Sequence, residues 1–248
     1  MLRSLKDLAR TQIQSRDGEF GTTFDFYIDD LEWTVRYLVV DTGKWLPGKR
    51  VLISPVSIEG INDSPKSLHL ALSEDQVRNA PDIDLEKTVS REKEEQLAQH
   101  YRWPVYWGPA IGILQPVGPR AHPLSDEDVD AEESESQVRS NLRSFKEVEG
   151  YHIEAIDDEI GHLDDLIVDV DTWEVIYAVV DTRNWLPGRK VLFSIRWIEK
   201  FDWEKELVHV DLTRDNVKNS PEFDPHAPVN RVYESQLFGY YGRPAYWE

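Results

Sequence analysis

Apolar residues fall along this chain in short runs, broken by clusters of Asp, Gly and Thr. Asp17-Gly18-Glu19 precedes the run Phe20–Ile28, and Asp29-Asp30 precedes Trp33–Val40. Later, Asp157-Asp158-Glu159 precedes Ile160–Val168, and Asp169–Thr172 precedes Trp173–Val180. Runs rich in β-branched and aromatic residues, bounded by turn formers, predict strands joined by tight turns. Gly21 and Gly161 follow the first turn of each series, where a bulge or a positive φ is expected. The longest strands are predicted at Val35–Asp41 and Val175–Asp181. A Trp-Leu-Pro-Gly turn follows each, because Pro presets φ and Gly accepts φ > 0. Val51–Ser54, Val191–Ser194, Ser67–Leu72 and Leu207–Leu212 supply further strands. So many short strands in so short a stretch suggest a small antiparallel barrel.

The pattern then changes. Ser73-Glu74-Asp75-Gln76 and Thr213-Arg214-Asp215-Asn216 read as helix starts, with Ser or Thr as N-cap and an acidic first turn. Asn79-Ala80-Pro81 and Asn219-Ser220-Pro221 stop those helices, and second helices are predicted at Arg91–Tyr101 and Arg231–Tyr241. Each series ends on Pro-x-Tyr-Trp.

The two series are one pattern repeated at an offset of 140. Leu38–Ser54 and Ala178–Ser194 are identical at 11 of 17 positions, and 42 of the 108 paired positions from 1–108 and 141–248 are identical. Chance identity at a fixed offset is several-fold lower, so the pattern reads as a duplicated domain, too long for a solenoid repeat. The expected fold is therefore mainly β with short helices. It comprises two tandem small antiparallel β-barrels, at 1–108 and 141–248, each followed by a short helical C-terminal segment. The intervening 109–140 is acidic and poor in apolar anchors, which predicts a flexible linker.

Net charge is −19, spread as −4, −5 and −10 over 1–108, 109–140 and 141–248. No segment is basic. Nucleic-acid affinity rests largely on Lys and Arg against phosphate, so nucleic acid is an unlikely partner. Neither an apolar run long enough to span a bilayer nor a secretory h-region is visible, so no transmembrane segment is expected. The chain contains no cysteine, which removes thiolate chemistry and disulfides and fits a reducing cytoplasm.

Candidate chemistry is thin. Asp41 and Asp181 end the longest strands and read as turn-initiating residues. His69 and His209 are the only histidines matched between the copies, and without Cys or a His-x₃-His spacing they do not form a zinc pattern. The acidic run Asp157, Asp158, Glu159, Asp164, Asp165, Asp169 and Asp171 does not follow the EF-hand order. Ser54 and Ser194 lie outside any nucleophile elbow, and neither a Walker A loop nor a Rossmann fingerprint occurs. The expectation is no catalytic residue, no metal and no cofactor: not an enzyme. The residues best suited to an interface are the turn aromatics and their neighbours, Trp45, Leu46 and Pro47 with Trp185, Leu186 and Pro187. To these are added the endings, Tyr101, Trp103, Tyr106 and Trp107 with Tyr241, Arg243, Tyr246 and Trp247. Tyr, Trp and Arg are enriched where proteins grip one another, although large aromatics also anchor cores.

In their order, these motifs resemble the PRC-barrel family. The resemblance rests on Gly21 with Asp25 and Gly161 with Asp165, the Val-x-Tyr-x-Val-Val-Asp strands, and the Trp-Leu-Pro-Gly turns. It rests further on the Val-Leu-(Ile/Phe)-Ser strands, the Asn-x-Pro elements and the Tyr-x-x-Pro-x-Tyr-Trp endings. It covers both copies. It implies a β-barrel akin to the cytoplasmic domain of the photosynthetic reaction centre H subunit and to the C-terminal domain of the ribosome maturation factor. Both act through protein contacts. The chain shows neither the membrane helix of the first nor the separate N-terminal barrel of the second. The leading expectation is a non-catalytic protein-interaction or scaffold module whose partner is unknown, with pairing of the two repeats and a possible homodimer. The alternatives are support of a membrane electron-transfer complex in the manner of the H subunit, and an accessory role in ribosome maturation or RNA processing.

Overall fold

The computed structural model describes residues 1–64, 66–81, 89–107, 140–182 and 189–247. The expected linker 109–140 therefore lies outside the described residues, Ser140 excepted. The chain is mainly β with a few short helices. It opens with β1 (Leu2–Ser4) and α1 (Leu5–Leu8). Then come β2 (Gln12–Gln14), β3 (Glu19–Asp29), β4 (Thr34–Asp41), β5 (Arg50–Ile53), β6 (Ile58–Asp63), β7 (Lys66–Leu70), α2 (Glu74–Arg78) and α3 (Arg91–Tyr101). After the undescribed stretch the sequence of elements repeats with β8 (Leu142–Ser144), α4 (Phe145–Val148), β9 (His152–Glu154), β10 (Glu159–Asp169) and β11 (Glu174–Asp181). It ends with β12 (Lys190–Ser194), β13 (Ile198–Asp202), β14 (Leu207–Val210), α5 (Arg214–Asn219) and α6 (Arg231–Tyr241). No helix among the described residues is long and apolar enough to cross a membrane.

The chain divides into two compact units. The first holds residues 9–144; the second holds Met1–Leu8 together with Phe145–Glu248. Neither coincides with the spans 1–108 and 141–248. The reason is an exchange of strands that are identical in sequence. Leu2-Arg3-Ser4 pairs with β10, Ser4 opposite Ile167. Leu142-Arg143-Ser144 pairs with β3, Ser144 opposite Tyr27. Each unit thus takes its short leading strand from the other repeat of the sequence.

Within the first unit the hydrogen-bonded path runs β6-β7-β2-β3-β4-β5, with β8 on the outer part of β3. The second unit follows β13-β14-β9-β10-β11-β12, with β1 on β10. This departs from a closed antiparallel barrel in two ways. The β2–β7 and β9–β14 pairs are parallel, and the path stays open. Strand β5 ends in a 3-10 turn at Pro55–Ser57, where the Ser57 N–H donates to Ser54 O at 3.0 Å. That turn consumes backbone groups a longer strand would offer and redirects the chain into β6, which among the described residues pairs only with β7.

Phe26 of β3 stands beside Leu38 of β4, and Leu38 beside Ile53 of β5; with Phe20, Ile28, Val40 and Leu68 of β7 they form a core, all at most 2% exposed. Each such side chain contributes about 1.5–3 kcal/mol by leaving water. Ile160, Leu166, Val168, Ala178, Val180 and Phe193 fill the second core in the same way. The expected caps are present: Ser73 Oγ accepts from the Gln76 N–H at 3.3 Å, and Thr213 Oγ1 accepts from the Asn216 N–H at 3.2 Å. Gly21 and Gly161 sit under the ends of β4 and β11. A side chain at either would collide with the carbonyl oxygen of Asp41 or Asp181, and Gly161 adds a φ of +133°.

Candidate functional site

In each unit the long strand, the last helix and the aromatic ending converge on one buried glutamate. In the first unit it is Glu94 of α3, which has no exposed surface. Its position one turn after Arg91 fixes the helix face that turns inward. The Tyr37 hydroxyl, from β4, donates to Glu94 Oε2 at 3.1 Å, and the Tyr106 hydroxyl donates to the same oxygen by a shorter bond. Arg91 Nη1 lies 3.0 Å from Glu94 Oε1, and its guanidinium covers the Trp107 ring at 4.4 Å. Arg36 covers the Tyr106 ring at 3.9 Å. The second unit repeats the arrangement around Glu234. Tyr177 and Tyr246 each donate to Oε1 at 2.8 Å, Arg231 stands 3.3 Å away, and Arg231 covers Trp247 at 3.9 Å.

Burial pushes the Glu94 carboxyl above the usual carboxylate range, opposed by the Tyr106 hydroxyl and the Arg91 charge. Burial, and then the charge of Glu94, drives the Tyr37 and Tyr106 hydroxyls far up. Tyr246 is pushed up to about 12, burial first. These phenols stay protonated and act as donors. A carboxylate fully enclosed by two phenols and a guanidinium holds a chain ending in place; a substrate does not reach it. Glu94 and Glu234 carried no signal in the sequence beyond a matched Arg-x-x-Glu on the predicted helices.

The aromatic residues expected at an interface are therefore largely occupied within their own units. Trp103 stacks on Tyr101 at 4.2 Å and donates from Nε1 to Ser57 Oγ at 2.7 Å. Tyr241 meets Trp197 at 4.7 Å, and Arg243 binds the Asp211 carboxylate at 2.6 Å. Trp247 packs edge-on against Phe238 at 5.3 Å. In the Trp-Leu-Pro-Gly turn, Trp45 is half-buried against Phe20 at 5.7 Å, with Arg78 over its ring at 4.9 Å. The Lys49 N–H donates to Leu46 O at 3.0 Å across an exposed Pro47 and a Gly48 at φ +78°, the geometry of a type II turn. Trp185, Leu186 and Pro187 lie outside the described residues. Outside the clamp, α3 and its following loop leave a shallow depression of about 380 Å³ lined by Glu95, Ala98, Gln99, Arg102, Trp103 and Val105.

The other candidate residues have local partners. Asp41 Oδ1 accepts from the Gly43 N–H at 2.8 Å, as a turn-initiating Asp does. His69 meets Asn62 at 2.7 Å, and His209 pairs with Glu154 at 3.0 Å. Asp25 and Asp165 sit at bulges of β3 and β10 and serve the exchanged strands. Ser144 Oγ donates to Asp25 at 2.6 Å, and Ser4 Oγ donates to Asp165. Among the described residues, Glu159 of the acidic run also comes together with His152 and His162, two histidines that the sequence did not single out, in a group able to hold a metal ion.

Burial pushes Asp165 up to about 6, against the hydrogen bonds from Ser4, Lys6 and Leu166. Between an ordinary carboxylate value and about 6, the folded chain holds a proton that the unfolded chain has lost. This group's stabilising contribution is present at low pH and is lost as pH rises through that window, by roughly 3 kcal/mol. Asp165→Asn keeps acceptors for the Lys6 and Leu166 N–H groups and offers its amide to Ser4. Unfolding free energies should thus show the variant gaining on the wild type by roughly that amount from pH 4 to pH 8. A pH-independent difference would refute the assignment.

No family model matches the chain, and no curated protein matches it either.

Proposed function

We propose that the chain is a duplicated protein of the PRC-barrel type that works by binding another protein and carries out no catalysis of its own. The observation that supports this reading best is the pair of Tyr–Glu–Tyr clamps. In each unit the most fully buried carboxyl group among the described residues is spent on fixing the chain ending. On the first unit Val105, which follows α3 and lines the depression beside Trp103, is 56% exposed; on the second, Val232 of α6 is 69% exposed. Exposed apolar side chains ringed by polar ones suit a protein contact. The recurrence of the motifs at an offset of 140, and of the elements they lie in, supports duplication. A net charge of −19 favours a basic partner surface, attracted more strongly at low salt.

Affinity capture from the native host by the full chain, at low and at high salt, tests this. The expected result is a basic protein retained at low salt, weakened by salt, and released by the double substitution Val105→Glu, Val232→Glu. Retention unchanged by that variant, or no retained protein at low salt, would overturn the reading.

A further inference from the structure

Strands β9 and β10 form a hairpin across a turn closed by the Ala155 N–H on Asp158 O, and their register sets His152 directly opposite His162. Their ring centroids lie 4.5 Å apart. Glu159 opens β10, and its Oε1 is 3.1 Å from His152 Nδ1. Residues 159 and 162 would point to opposite faces of a regular strand. The register shift between Glu159 and Gly161 brings them to the same side, as a bulge does. One ligand atom from each of the three residues lies within 4.8 Å of the others, and the cluster is open to solvent.

We propose that His152, Glu159 and His162 bind a divalent cation of the zinc class. Two imidazole nitrogens and one carboxylate oxygen are a borderline donor set, suited to zinc and its neighbours and poorly suited to calcium or magnesium. Around a tetrahedral zinc with bonds of about 2.0–2.1 Å, donors sit about 3.3 Å apart, so the observed spread closes by side-chain rotation. The fourth position faces water and can take a solvent molecule or a partner's ligand. An acidic chain also concentrates cations at its surface.

The first unit supplies an internal comparison. Gln12, Glu19 and Thr22 occupy the same places on β2 and β3, and Gln12 Nε2 donates to Glu19 at 2.8 Å. There the glutamate is held by an amide, and the strand positions carry no imidazole. The site thus belongs to the second unit alone, which is why matching histidines between copies passes over it. The inference does not depend on what protein the chain binds.

The test is equilibrium dialysis of the untagged full chain against buffered zinc, followed by elemental analysis. One equivalent bound per chain is expected. His152→Gln with His162→Thr installs side chains that the matched strands already accept, so circular dichroism should show the fold intact. That variant should lose at least tenfold in affinity, because loss of a group that merely supports a ligand costs about 10–100-fold. His69→Gln should bind like the wild type. In ¹⁵N spectra the imidazoles of His152 and His162 should shift on zinc addition, while those of His69 and His209 should not. No uptake beyond that of the double variant, or an equal loss in His69→Gln, would overturn the proposal.

Discussion

Replacing Leu5 with alanine is expected to destabilise the second unit, although residue 5 precedes the whole of the first. Leu5 is fully buried in α1, and α1 packs on β10. Truncating a buried leucine leaves a cavity and costs about 2–5 kcal/mol. Hydrogen exchange gives the loss an address. Amides of β10 and β11 should lose protection, and those of β3 and β4 should keep theirs, because α1 belongs to the unit that contains β10. Equal loss in β3, or unchanged protection throughout, would contradict the exchange of leading strands.

Gly161→Ala is the second large effect. The new Cβ would meet the Asp181 carbonyl oxygen, and φ at +133° lies in a region that side chains disfavour. Both terms act on backbone in the middle of a paired sheet, so neither relaxes cheaply. The expected cost is roughly 3–5 kcal/mol, at the top of the range for single substitutions. Gly21→Ala meets the Asp41 carbonyl in the same way without the unfavourable φ, so it should cost less. Urea midpoints of the two variants, compared at equal denaturant slope, check the order. If both alanines were tolerated within about 1 kcal/mol, the close approach of these strands would be wrong.

Local features were readable from sequence where local chemistry decides them. Ser73 and Thr213 announce helices because a hydroxyl before an acidic or amide-bearing turn caps free N–H groups. The helices at Arg91–Tyr101 and Arg231–Tyr241 lie where periodicity put them. The Pro47-Gly48 turn follows from the dihedral preferences of two residues. Features set by distant partners were not readable. Leu2-Arg3-Ser4 and Leu142-Arg143-Ser144 are identical, so nothing in either segment says which long strand it joins. The parallel β2–β7 pair joins residues far apart in sequence, which turn chemistry does not reach.

The candidate sites divide along the same line. The aromatic endings were visible as residue types, but their use depends on Glu94 and Glu234, and a glutamate on a helix normally reads as a solvated one. The histidine pair had a usable signal. His152 and His162 stand five residues either side of Asp157, and the bulge between Glu159 and Gly161 completes their pairing across the hairpin.

The order in which a ribosome makes this chain bears on its traded strands. Residues 1–8 emerge well before the end of the strand they dock on, at Asp169. At about 5–20 residues per second, they wait roughly 10–30 s for it. During that interval Leu5 and Leu8 have no native cover, and β3 has not yet received residues 142–144. Over that interval the nascent chain carries two uncovered leucines and an unpaired segment of β3, which are satisfied only as residues 142–169 arrive.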